Sequence, residues 1–259
     1  MSQWINKLLH DLPSEIYGSI IVLIIVLILS LIVFFKVKKT DPLAKPKGIV
    51  HLSEILVTKI DGMVESMMGK KFLRRGMGGY FTAIAVYIVL GFTLGLLGLP
   101  TPMVNLIVPV SLGTLTIILV HATAVRANKW RYFKRFVEPV FFFLPVNIIS
   151  TFAPLISLSL RLFGNALAGW TIMNLLYWGS GLLANVIYGG FIPTGPSSLL
   201  VTPILAPFLH MYFDLFGAFI QTLVFVSLSM IFISQEDDSP DEIPASVNNI
   251  KNNDMIKEI

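Results

Sequence analysis

The 259-residue chain is 55% hydrophobic and only 13% charged, with a formal net charge of +4 and a mean hydropathy of +0.79, which excludes an ordinary soluble domain and suits a multispan membrane protein. With no cysteine it can hold no disulfide, thiolate metal site or thiol nucleophile. Four scattered histidines, His10, His51, His121 and His210, offer no metal cluster, and without a G-x-x-x-x-G-K-S/T loop no nucleotide chemistry is expected here.

In chain order, residues 1–15 read as a short extracytoplasmic segment. Residues 16–35 form an apolar run long enough to span a bilayer, and it lacks the short core and cleavage site of a secretory signal. Residues 36–79 read as a cytoplasmic loop that opens with Lys36, Lys38, Lys39, Lys45 and Lys47, with Pro42 and Pro46 breaking the helix. Within it Ile49, Leu52, Leu56, Ile60, Met63, Val64 and Met67 recur at helical spacing between charged residues, the pattern of an amphipathic helix lying on a membrane surface.

Residues 80–125 read as a membrane hairpin turning at Pro100-Thr101-Pro102. A basic loop at 126–140 returns the chain to the cytoplasm. Two long apolar runs fill 141–233, separated by a Gly/Pro/Ser-rich stretch at 189–198. As helices they would measure about 45 Å or more, beyond a hydrocarbon core of about 30 Å, so strong tilt is expected. Pro145 and Pro154 are candidate kinks or breaks in the first. Residues 234–259, acidic and then Asn-rich, read as a disordered cytoplasmic tail.

The fold class is therefore all-α and polytopic, with about five membrane helical segments plus a surface amphipathic helix. Of 19 Lys and Arg, only Lys7 and Arg161 fall outside the proposed cytoplasmic segments and tail. The positive-inside rule then sets the N-terminus outside and the C-terminus in the cytoplasm. The basic runs flank spans, so they read as topology anchors and no nucleic-acid partner is expected.

Arg161 is the one charge in its span, and an arginine at mid-membrane costs about 2.5–3.5 kcal/mol on insertion scales, so it faces protein or water and has a role by default. Ser157, Gly164, Asn165 and Ala168 surround it at helical spacing. A structural ion pair is the alternative. In the last run His210, Asp214, Gly217 and Gln221 lie at spacings that share a helix face and make a candidate proton path, with an interhelical packing contact as the other reading.

The string SLSLRLFGNALAG, with PVN upstream and IQTLVF in the last run, resembles the membrane-embedded subunit a of F-type ATP synthases over roughly residues 80–235. The resemblance implies a non-catalytic, ion-translocating stator in a bacterial cell membrane, coupling flow of an ion, expected to be a proton, to ATP synthesis or ATP-driven pumping. It implies two offset half-channels against a ring of c subunits, peripheral-stalk b subunits and a soluble ATPase sector as partners, the bilayer as surroundings, and no cofactor. Arg161 would separate the half-channels and engage the ring carboxylate. Asn165 and Gln221 fall on positions for polar partners of the arginine, and Asp214 on one that holds an acid or histidine, with His210 beside it.

The chain departs from the pattern at Trp170, where relatives often carry glutamate or histidine. It departs again at Asn147, Ser150 and Thr151, in a run where relatives usually place a carboxylate. Asn147, Ser150 and Ser157 are the candidate neutral linings of a half-channel. A stand-alone ion transporter or channel is the competing reading, disfavoured because no internal repeat is evident, and a structural scaffold has no need of Arg161.

Overall fold

The computed structural model describes residues 13–39, 45–128, 144–187 and 202–237. Residues 1–12, most of the basic loop, the 189–198 stretch and the chain beyond Asp237 lie outside them. Among the described residues every regular element is helical, and five helices are long and apolar enough to cross a membrane, as hydropathy predicts.

Helix α1, Ser14–Lys39, is an almost unbroken apolar run whose last turn carries Lys36, Lys38 and Lys39, where cations complement the helix dipole. Most of its large side chains are exposed, as lipid-facing groups are. It docks through Gly18, where an added Cβ would collide with the Pro100 carbonyl, and through a 2.7 Å hydrogen bond between Ser19 and Tyr87.

The amphipathic segment is α2, Ile49–Met68. Its buried side chains Ile60, Val64 and Met68 repeat every four residues and pack against the fourth and last helices. The apolar stripe expected to lie on a membrane surface is thus covered in part by protein. Gly69 and Gly76, with φ of 91° and 80°, turn the chain on either side of the short α3, Lys70–Arg74. Such left-handed backbone favours glycine.

Helix α4, Met77–Thr93, leads through a 3-10 turn at Leu94–Leu97 and a second at Pro102–Val104 into α5, Ile107–Asn128. Helix α6, Leu144–Ile187, is 44 residues long and continuous, with Pro154 inside it. Neither Pro145 nor Pro154 divides it. The last rod comprises α7, Thr202–His210, a π turn at Met211–Phe216, and α8, Gly217–Gln235. The apolar spans in these two rods run 35 and 34 residues, about 50 Å each against a core of roughly 30 Å.

The core lies where α4 and α8 meet α2 and α5, around Phe81, Ile88, Phe92, Phe225 and Met230. At its basic end Asp237, only 3% exposed, receives Lys71 Nζ at 2.9 Å and Arg75 at 3.1 Å. Sequence assigned this aspartate to a solvated tail. Instead its two cationic partners tie the end of α8 to α3 and the turn before α4, since a buried carboxylate requires such pairing.

Candidate functional site

Helix α6 presents two faces. Leu158, Leu162, Ala166, Gly169 and Met173 are buried, whereas Ser157, Arg161, Gly164 and Ala168 are exposed. At 100° per residue these four fall within about 60° of one another. An added Cβ at Gly164 would meet nothing within 4 Å, so the guanidinium stands on a smooth surface. Arg161 makes no hydrogen bond or ion pair among the described residues. Ser150 is also exposed, and Asn147 lies in the helix with its side chain outside the described part.

The rear of α6 lines a cavity of about 490 Å3 bounded by α1, the α4–α5 connection and the last rod. Asn165, Trp170, Asn174 and Tyr177 form its α6 wall, with His210 and Asp214 opposite and Glu15 and Thr101 also in its lining. Trp170 is about 180° around α6 from Arg161, on the wall shared with the last rod. Asn165 sits at the seam between the two faces, half-buried.

Asp214 is held at close quarters. His210 Nδ1 lies 2.6 Å from its Oδ2, and the other ring nitrogen, Nε2, lies 3.2 Å from the Tyr177 hydroxyl. Three glycines let the backbones approach. A Cβ at Gly95 would stand 2.9 Å from Asp214 Oδ2, one at Gly217 2.9 Å from Asn165 Nδ2, and one at Gly169 3.1 Å from Phe213. Two complementary amide atoms near this crossing, Asn165 Nδ2 and Gln221 Oε1, are buried without a hydrogen-bond partner.

The π turn alters the sequence-derived geometry. A π turn takes one residue more than an α turn, which sets everything beyond it back by about 100°. His210 and Asp214 therefore remain paired while Gln221 leaves their face, and neither Gln221 nor Arg161 is in the cavity wall. The structure thus brings Asn165, His210 and Asp214 together and holds Arg161 on the opposite face. Sequence reasoning missed Glu15, Thr101 and Tyr177. Tyr177 was findable, seven residues from Trp170 and so on its face. Glu15 and Thr101 arrive from distant elements and carry no local signal.

Fold and site together define an all-helical, multi-pass membrane protein with an exposed mid-span arginine and an acid-containing cavity behind it. The sequence matches the ATP synthase A chain family over residues 18–234. It is 30% identical to ATP synthase subunit a of Mycoplasmoides gallisepticum over 86% of this chain and 77% of that protein. It is 31% identical to that of Mycoplasma genitalium over 83% and 76%, and 30% identical to that of Staphylococcus saprophyticus over 86% and 89%. The chain belongs to the ATP synthase subunit a family, a membrane-sector component of the F-type complex.

Proposed function

We propose that this chain is the non-catalytic stator that conducts the coupling ion between two half-channels and a ring of c subunits. The observation that carries the reading is Arg161, exposed in mid-span on a face of small residues and without a partner among the described residues. A permanent cation there calls for an acid from outside the chain, and the ring carboxylate meets that need. The guanidinium favours the charged form of an approaching acid and cannot relay a proton itself. Gly164 and Ala168 leave room for ring helices to pass close by.

The cavity behind α6 serves as the inlet half-channel, with Glu15 and Thr101 in its lining and the His210–Asp214 pair within. It lies at the end of the molecule away from Lys71, Arg75 and Asp237. With the basic end cytoplasmic, the inlet opens outside. Asn165, on the seam, connects inlet face and ring face, with the unpaired amide oxygen of Gln221 available to water or the guanidinium. Ser157, Ser150 and Asn147 belong to the route on the arginine face. The length of the two last spans is accommodated by tilt, which lays them along the ring. Peripheral-stalk b subunits and the soluble ATPase sector complete the assembly in a bacterial cell membrane.

The test is Arg161→Ala and Arg161→Lys in the assembled complex. Both are expected to insert and copurify with the ring. Arg161→Ala should abolish ATP-driven pumping, and Arg161→Lys should lose most of it for want of the planar fork. Near-normal coupled pumping in either variant refutes the stator reading.

A further inference from the structure

His210 and Tyr177 line a second cavity as well, about 520 Å3, whose other walls include Leu96, Thr202, Pro203 and Pro207. Among the described residues Leu96, Tyr177 and His210 alone border both cavities, so these three stand between them. The polar bond within that partition is the 3.2 Å contact from Tyr177 to His210.

An ionised carboxylate only accepts hydrogen bonds, and a neutral imidazole has one donor and one acceptor nitrogen. With Asp214 ionised, the 2.6 Å contact therefore requires the proton on Nδ1. Nε2 is left as a lone pair, and the phenol must donate to it. With Asp214 protonated, every donor reverses: Oδ2–H donates to Nδ1, Nε2–H donates to the phenol oxygen, and the phenol hydrogen turns away. A hydroxyl can donate or accept, so Tyr177 satisfies Nε2 in both states.

We propose that Tyr177 is a positioning residue of the ion path. It keeps Nδ1 of His210 turned to Asp214 whichever tautomer the acid's protonation state calls for, and it forms part of the partition between the two cavities. The role rests on the reading of the Asp214 cavity as the inlet. It acts through the imidazole, and the phenol itself need not exchange its proton with the coupling ion. Second-sphere bonds of this kind commonly decide which imidazole nitrogen carries hydrogen. Besides Tyr177 from α6 and Asp214 on its own rod, the titratable group sharing the first cavity with His210 is Glu15 of α1.

Two measurements on the assembled complex test this. In the first, 15N spectra of histidine-labelled complex are recorded, with the His210 signals assigned by their loss in His210→Gln. At alkaline pH, where Asp214 is ionised, the wild type is expected to show the one neutral tautomer with hydrogen on Nδ1, and Tyr177→Phe, whose imidazole is free to turn over, a mixture of both. A mixture or an imidazolium in the wild type overturns the proposal, as does an unchanged spectrum in Tyr177→Phe. In the second, passive proton flux is measured in vesicles stripped of the soluble sector. Tyr177→Phe should lose severalfold in flux at normal assembly, and Tyr177→His, which keeps a ring able to donate or accept, should recover part of it. Wild-type flux in Tyr177→Phe overturns the proposal. The spectral measurement does not depend on conduction, so the two readings fail separately: full flux in Asp214→Asn removes the inlet reading, whereas an unchanged tautomer removes the role of Tyr177.

Discussion

Replacing Gly95 with alanine should disable the inlet without replacing any titratable group. The new Cβ would lie 2.9 Å from Asp214 Oδ2, 3.1 Å from its Cγ and 3.0 Å from Thr101 Oγ1, whereas ordinary contact begins near 3.4 Å. The carboxylate must therefore retreat by about 0.5 Å, and overpacking of this kind costs roughly 1–3 kcal/mol. His210 stands 2.6 Å from the same oxygen, so a carboxylate that rotates away from the new Cβ strains or breaks that bond. A hydrogen bond to a charged group contributes about 1.5–3 kcal/mol. Its loss would lower the population of the paired geometry by roughly 10- to 100-fold, at 1.36 kcal/mol per decade. Passive proton flux through the assembled, stripped membrane sector reads this directly, with copurification of the ring as the measure of assembly. Gly179→Ala is the control, since a Cβ there meets nothing within 4 Å and alanine favours the helix. Gly95→Ala combined with His210→Ala should cost little more than His210→Ala alone, because both remove one contact. Wild-type flux in Gly95→Ala at normal assembly would refute the reasoning.

Asp214→Asn should impair flux more than His210→Ala, because the acid is the only carboxylate of the last rod within the cavity wall; equal wild-type flux in Asp214→Asn would make the pair a packing contact. Asp237→Ala should destabilise the basic end by about 1–3 kcal/mol, the range for a lost charge-assisted bond, seen as a lower melting temperature of the purified complex with the inlet intact. An unchanged melting temperature would mean the bonds to Lys71 and Arg75 contribute nothing net. Cysteine placed at Gly164 or Ala168 should cross-link to cysteine near the ring carboxylate. Trp170→Cys should instead link to the last rod around Asp214, and the reverse pattern would overturn the assignment of the two α6 faces.

The sequence by itself determined the spans, because twenty or more apolar residues have few stable alternatives to a membrane helix. It also exposed the face of Arg161 with Ser157, Gly164 and Ala168, since helical periodicity within one element is a local property. What it could not supply is anything that depends on how separate elements meet. Glu15 and Thr101 share a cavity with Asp214 only because Gly18, Gly95 and Gly169 let three pieces of backbone close on one another. Asp237 reads as tail until Lys71 and Arg75, more than 160 residues earlier in the chain, are seen to bind it. The π turn at Met211–Phe216 is the clearest case. A regular helix would align His210, Asp214, Gly217 and Gln221, yet the residues on either side of the turn give no periodic sign of the extra one. Packing in the folded bundle decides that register, and a shift of one residue turns Gln221 off the cavity while leaving His210 and Asp214 within hydrogen-bonding reach.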